Sequence, residues 1–411
     1  MACSQRRTTR PRSLKRAELV LRKGAERRLR SGHLWVYSNE VDTARNPLAQ
    51  FEPGEVVEVK SARGDLLGSA YLEPQSLICA RLFAPGRAVD FDAQTVADAV
   101  CTALGTRALA FDQPYYRLIY GDSDLLPGVV VDRFGDYLVL QLNNAGVEPY
   151  EAVLVDALRE QLAPRGILLR ADSRARRERE LPERVEVVFG QVPDQVELIE
   201  NGVALLAPLA SGQKTGWFYD HRMSRARLPA YARDARVLDV YSYVGGWGIQ
   251  AMAAGARHLV CVDSSEAALA GVMANAAHNG LEARVSTRQG RADEVLAALQ
   301  DEKRDEELFD LTIIDPPAFI QRRKDLKKGI AAYRRIFEAG LRLTRPGGVV
   351  VGASCSMHLS RGDLMFALQG AALRAGCRLQ VLEQGAQGPD HPIHPAIPET
   401  EYLKAVFLRR L

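Results

Sequence analysis

Cysteine and histidine are both scarce. The chain has 411 residues, six cysteines and seven histidines. No two cysteines stand as CxxC, and no Cys/His group has zinc-site spacing, so no metal is expected. Most of the six should be small buried hydrophobes. No apolar run approaches the ~18–20 residues needed to cross a bilayer. A cytoplasmic protein with no membrane partner is therefore expected. Internal repeats and low-complexity segments are also lacking. Charge of one sign is lacking overall, since 54 Lys and Arg face 51 Asp and Glu. The balance fails locally, with eleven Lys/Arg against Glu18 and Glu26 in residues 1–30. Residues 1–18 read as a basic, disordered tail, either simply solvated or attracting phosphate. They have neither the apolar core of a secretory signal nor the helical face of a transit peptide.

What is present is punctuated segment by segment. At this length two or three domains with sizeable cores are expected. Residues 19–88 read as a β-rich module. Val56–Val59 and Leu66–Tyr71 flank the turn Arg63-Gly64-Asp65, which predicts a hairpin. Residues 89–205 read as a small α+β domain. It has a helix at 90–105, a second hairpin around Phe134-Gly135-Asp136 and a helix near 148–162. The charged run Arg174–Arg184 reads as a solvated loop or helix face. From 206 to 411 strands alternate with longer helical stretches. The strand candidates are Val237–Tyr241, Leu259–Asp263, Ala283–Thr287, Leu311–Ile314 and Val349–Ala353. That alternation predicts a doubly wound α/β domain.

The first of these strands contains Asp239, ends at Tyr241 and runs into Ser242-Tyr243-Val244-Gly245-Gly246-Trp247-Gly248. Glycines there let the backbone approach a ligand at a helix N-terminus. The next strand ends at Asp263, where an acid can accept bonds from ribose hydroxyls; the plainer role is a helix N-cap. An acid inside the first strand followed by a loose glycine loop resembles the S-adenosylmethionine site of class I methyltransferases. The resemblance puts Asp239, Gly245 and Gly246 at the amino-acid end of the cofactor and Asp263 at its ribose, with Tyr241 a further cofactor-binding candidate. In Gly290-Arg291-Ala292-Asp293, Arg291 stands where an acid near the adenine is usual, and Asp293 is the substitute.

The chemical end lies in two runs. Asp315-Pro316-Pro317-Ala318-Phe319 follows one apolar strand, and Ser354-Cys355-Ser356 follows another. Between them Leu326, Ile330, Tyr333, Ile336, Phe337 and Leu341 recur at helical spacing. A strand–helix–strand crossover makes the flanking strands parallel, so the acid and the thiol meet at one sheet end. An acid beside a cysteine suits methylation of a pyrimidine ring carbon. Thiolate addition at C6 makes C5 nucleophilic, and an acid at N3 stabilises the adduct. Cys355 is the candidate nucleophile and Asp315 the N3 partner. The plainer readings are a buried core thiol and a turn carboxylate. The alternatives are an exocyclic-amine methyltransferase acting on adenine N6 or guanine N2, and an RNA-binding factor with a non-catalytic methyltransferase fold. The former uses an aromatic where Ala318 stands, with Phe319 one place late. His358 is one candidate for the base that must remove the C5 proton.

With these residues in view, residues 19–411 resemble the RlmI-type bacterial family of 23S rRNA cytosine-C5 methyltransferases. Arg27–Ser38 is similar to the entry of the family's PUA-type RNA-binding domain, which implies RNA contacts for His33 and Trp35. Gly212–Arg222 is similar to the block that opens the catalytic domain, which implies that Lys214 and Thr215 lie beside the cofactor. Asp390-His391-Pro392 and Glu401-Tyr402-Leu403-Lys404 are also similar to the family, with His391 at the substrate entrance. Pro316, Pro317 and Phe319 would border the target base. The resemblance implies a Rossmann-like methyltransferase domain behind PUA-type and central α+β domains. S-adenosyl-L-methionine is the implied cofactor and 23S rRNA or a precursor subunit the implied partner. The sequence leaves a homodimer open.

Overall fold

The computed structural model describes residues 16–302 and 308–411. Most of the basic tail, residues 1–15, therefore lies outside the described residues. The chain forms two compact units.

The first unit runs to Asp194 and also takes in Leu209–Trp217 and Pro389–Thr400. Its first sheet comprises β1 (Ala17–Val20), β2 (Trp35–Tyr37), β3 (Val56–Lys60), β4 (Leu66–Leu72) and β5 (Ile78–Pro85), in the order β1-β3-β4-β5-β2. The predicted hairpin is β3–β4. Gly64 turns it at φ +90°, which an L side chain rarely adopts. The hydroxyl of Ser61 accepts from the N–H groups of Arg63 and Asp65 and ties the turn. A second sheet holds β6 (Tyr115–Tyr120), β7 (Val129–Phe134), β8 (Tyr137–Leu142), β9 (Gly166–Ala171) and β10 (Arg184–Gly190), in chain order. The helix Glu151–Leu162 carries the chain from β8 to its parallel neighbour β9. The helix Ala93–Ala108 is capped by Asp92, whose carboxylate accepts from the Thr95 N–H. One apolar core, including Tyr71, Phe83, Phe91, Leu118, Leu140 and Leu158, fills this region.

The charged run 174–184 is mostly solvated, as expected, with one exception. Arg176 is fully buried. Its guanidinium donates to the carbonyls of Leu142 and Pro182 and pairs with Glu148. The charge is tolerated inside because carbonyls and a carboxylate surround it, which charge density along a sequence cannot reveal.

The second unit contains Gln195–Pro208, Phe218–Gly388 and Glu401–Leu411. It opens with the hairpin β11 (Gln195–Glu200) and β12 (Val203–Pro208). Then come β13 (Arg236–Val240), β14 (His258–Asp263), β15 (Val285–Gln289), β16 (Phe309–Ile314), β17 (Thr344–Ser354), β18 (Leu379–Gly385) and β19 (Lys404–Arg410). The sheet order is β15-β14-β13-β16-β17-β19-β18. The first five are parallel, and β19 runs antiparallel between β17 and β18. All five predicted strands are present. The helix Leu326–Leu343 buries Tyr333, Ile336, Phe337 and Leu341 and joins β16 to its parallel neighbour β17. The C-terminal ends of β13, β14, β16 and β17 therefore share one edge, where ligands of such sheets bind.

Candidate active site

The loop after β13 is built for close approach. Gly245 has φ +85°, and a Cβ there would meet Ile249 at 2.9 Å. A Cβ on Gly248 would meet Leu259 at 2.8 Å and the Asp239 carboxylate at 3.0 Å. Gly246 between them is half-buried. Tyr241 and Tyr243 also take positive φ, +64° and +48°. Non-glycine residues rarely hold that conformation, and such strain gathers at functional turns.

Asp239 is completely buried. Its Oδ2 accepts from the Gly248 N–H at 2.9 Å, and its Oδ1 has no hydrogen-bond partner among the described residues. Burial pushes its pKa up to about 7; the Gly248 bond opposes this, and the charges of Asp315 and Asp263 add to it. A buried, half-satisfied carboxylate calls for a cationic partner. The amino group of S-adenosylmethionine would be one, so the residues present fit that cofactor. Asp263 is held differently. Its two oxygens accept from the N–H groups of Tyr243 and Ser265. Ser265, not Asp263, caps the following helix by accepting from Ala268. Asp263 is thereby fixed between the loop after β13 and the start of the following helix. Asp293 pairs with Arg291 at 3.0 Å on an exposed surface.

Asp315 follows the last residue of β16 and lies 20 % exposed. The Trp247 indole N–H donates to its Oδ2 at 3.0 Å, and His221 Nε2 stands 3.3 Å from its Oδ1. Burial works to raise its pKa, but His221 and the Trp247 bond outweigh it and hold the carboxyl below the usual range. Pro316 is buried and Pro317 exposed. Phe319 packs on Tyr333 with ring centroids 4.9 Å apart.

Cys355 follows β17, the parallel neighbour of β16, and is a half-buried cysteine outside any disulfide. Its flanking residues are pinned. The Tyr333 hydroxyl lies 2.7 Å from Ser354 Oγ and 2.8 Å from Ser356 Oγ. Across the ladder, Ser354 stands opposite Lys404. The Lys404 ammonium is only 5 % exposed and donates to the carbonyls of Ser356 and Tyr402. Burial lowers its pKa to about 8, against upward pulls from Cys355 and Glu401; Arg361 lowers it further.

Sequence reading missed His221, Trp247 and Lys404 as site residues. His221 lies inside the Gly212–Arg222 block. In the structure Asp220 accepts from the Tyr402 hydroxyl at 2.6 Å. Arg222 is buried 3.6 Å from Glu200.

The remaining candidates belong to the first unit. The Thr215 hydroxyl is buried and donates to Asp132 Oδ2 at 2.6 Å, while Lys214 is exposed at φ +51°. The Trp35 indole N–H donates to Asp122, and the His33 Nδ1 accepts from the Trp35 N–H. His391 is buried with its Nδ1 3.0 Å from Asp390 Oδ1 and its ring against Tyr120.

Comparison with known proteins bears on the site as a whole. The family of PUA-like domains matches residues 19–85, and that of S-adenosylmethionine-dependent methyltransferases matches residues 148–409. Ribosomal RNA large subunit methyltransferase I of Erwinia tasmaniensis is 34% identical, covering 95% of this chain and 98% of its own length. The protein of the same name from Cronobacter sakazakii is also 34% identical, over 94% and 97%. Among solved structures, a Streptococcus mutans chain assigned to the methyltransferases aligns over 96% of this chain with a TM-score of 0.79 and 21% identity. A further structure, complexed with SAH, reaches 0.80 at the same identity and coverage. The cofactor is S-adenosylmethionine.

Proposed function

The chain belongs to the ribosomal RNA large subunit methyltransferase I family, and from that membership we propose that it methylates C5 of one cytosine in large-subunit (23S) ribosomal RNA through a covalent bond between Cys355 and C6. The observation that carries this reading is a cysteine outside any disulfide and a paired carboxylate following adjacent parallel strands, at the edge that also holds the glycine loop. An exocyclic amine already has a lone pair and needs no thiol. A ring carbon does.

Bound S-adenosylmethionine supplies an electrophilic methyl group. Asp239 would hold its amino group, the backbone of Gly245 and Gly246 would border its amino-acid end, and Asp263 would accept from its ribose. Cys355 adds to C6, and the π electrons of the C5–C6 bond become available at C5. As that happens, negative charge grows on the N3 side of the ring. Asp315 is held ionised, so alone it can only accept, for instance from the cytosine 4-amino group. A proton reaching N3 would pass by way of Asp315, whose Oδ1 stands 3.3 Å from His221 Nε2. Pro316 and Pro317 force an extended exit from β16 and keep Asp315 aimed.

The target base must leave its stack, at a cost of roughly a few kcal/mol if paired. The PUA-like domain and the basic N-terminal region would supply phosphate contacts that make binding salt-dependent. Trp35, which is half-buried, is the candidate for RNA contact, whereas His33 and His391 are buried.

The test is bisulfite mapping of large-subunit rRNA from cells with and without the protein. Loss of one protected cytosine is the expected result, and an unchanged map rejects the reading. Purified Cys355→Ser enzyme should bind cofactor yet transfer no methyl group. Normal methylation by that variant would remove the thiol from the mechanism.

A further inference from the structure

C5 methylation through a thiol adduct ends with a proton to remove, and no residue assigned so far removes it. We propose that Lys404 is the catalytic base that takes the C5 proton and so releases the product from Cys355. This rests on the C5 reading above.

Stereochemistry narrows the search. The thiolate adds to C6 on one face of the ring, and the methyl group arrives at C5 on the other. The displaced C5 hydrogen is then turned towards the face of the thiolate. The base must stand beside Cys355, not beside the cofactor.

Lys404 meets that condition. It begins β19 directly opposite Ser354, the residue before Cys355. Its amine is buried and is fixed by two donated bonds, 2.9 Å to the Ser356 carbonyl and 2.8 Å to the Tyr402 carbonyl. A neutral amine has two hydrogens and one lone pair. Both hydrogens are used on these carbonyls, so the lone pair takes the remaining tetrahedral position. Few lysines are held this way. An exposed lysine is a solvated cation, but this one is dehydrated and has a pKa of about 8. The charged groups that act on it are Cys355, Glu401 and Arg361. The neutral form is therefore accessible near neutral pH, as a general base requires.

The steps balance. Thiolate adds to C6, and C5 takes the methyl group as the cofactor's sulfur–carbon bond breaks. Neutral Lys404 then accepts the C5 proton, and the proton taken up at N3 returns to the Asp315 side. The freed electron pair re-forms the C5–C6 double bond, and the C6–S bond breaks to return the thiolate. The enzyme is left with a Lys404 ammonium beside a Cys355 thiolate, and the extra proton passes to solvent.

The experiment uses full-length enzyme, S-adenosylmethionine and unmodified large-subunit rRNA. Covalent enzyme–RNA complex and methyl incorporation are followed together. With K404M, methyl transfer to bound RNA is expected in a single turnover. The methylated RNA should then stay covalently attached, and steady turnover should fall by ~10²–10⁴-fold, the usual worth of a general base. K404R keeps a cation that cannot act as a base, so it should stall in the same way. It is the variant to read if K404M loses cofactor binding. Wild-type turnover should rise with pH through about 8. Product release by K404M at the wild-type rate would overturn the proposal. So would rescue by K404R, or failure of both variants to form the adduct while binding cofactor, since either would assign Lys404 to the thiolate instead. If wild-type enzyme methylates without any Cys355 adduct, the underlying C5 reading fails, and that is seen before any Lys404 variant is made.

Discussion

Asp239 is a fully buried carboxylate with one oxygen left without a hydrogen bond among the described residues, which costs the protein stability. Its pKa of about 7 means that, between about pH 4 and pH 7, the folded chain keeps a proton that the unfolded chain has released. Folding stability contributed by that proton is complete at low pH and falls as pH rises through this window. The loss amounts to roughly 4 kcal/mol above pH 7, at about 1.4 kcal/mol per unit. Asp239→Asn cannot ionise, so its melting temperature without cofactor should lack this decline and exceed the wild type at pH 8. The same change should weaken S-adenosylmethionine binding at least tenfold, because the orphan Oδ1 no longer offers a charge. Parallel melting curves for the two proteins from pH 5 to 8 would refute this. Asp239 was recognisable in the sequence because a strand, an acid and a glycine loop are contiguous. Asp315 and Cys355 stood out because each directly follows an apolar strand run. His221 and Lys404 did not, because each becomes significant only by lying beside a residue far away in the chain: Asp315 for the first, Cys355 for the second.

At the scale of elements, the helix Leu326–Leu343 decides how Asp315 and Cys355 are placed. It must lie close against the sheet, and two glycines allow it. A Cβ on Gly340 would meet Ile314 Cδ1 at 2.3 Å, and one on Gly329 would meet Ile320 Cγ1 at 2.1 Å. Both contacts lie under the strands and turn that carry the site. Gly340→Val should therefore destabilise the protein by ~1–3 kcal/mol through overpacking and slow methyl transfer, whereas Gly280→Ala, with nothing within 4 Å, tests only the cost of a positive φ. Urea midpoints and single-turnover rates check the pair. An unaltered Gly340→Val enzyme would mean that the helix can withdraw without moving Asp315. The helix itself was readable from its 3.6-residue stripe. Strands β18 and β19 were not predicted. β19 is buried from Lys404 to Leu408, so it shows no alternation. β18 is an edge strand whose mixed polar pattern, Leu379-Gln380-Val381-Leu382-Glu383, resembles a surface loop.

For the whole molecule, the telling feature is that the chain passes repeatedly between its two units, and each return to the first is tied by buried charge. Arg107 pairs with Asp124 at 2.6 Å and also donates to the Asp390 carbonyl, while Asp390 accepts from the Arg117 N–H. Arg117 makes a two-pronged pair with Asp132, both bonds 2.8 Å, and Asp132 also accepts from Thr215. Removing one partner of such a group leaves the other charge buried and unanswered, at ~3–5 kcal/mol. Thr215 loses only a neutral donor, so Thr215→Val should cost about 1–3 kcal/mol. The two residues share one carboxylate, so their effects should not add. Unfolding of Asp132→Ala, Thr215→Val and the double variant by urea gives the coupling directly. A double variant little worse than Asp132→Ala is expected, since Thr215 has lost its acceptor already. Strict additivity would mean that the 209–217 return is held by other contacts, such as the Arg170 bonds to the Leu209 and Gly212 carbonyls. Cofactor affinity measured on the same three proteins separates this role from the one that family resemblance implies for Thr215. A purely structural Thr215 leaves affinity unchanged in Thr215→Val, whereas a direct cofactor contact lowers it at pH and temperature where the variant is fully folded.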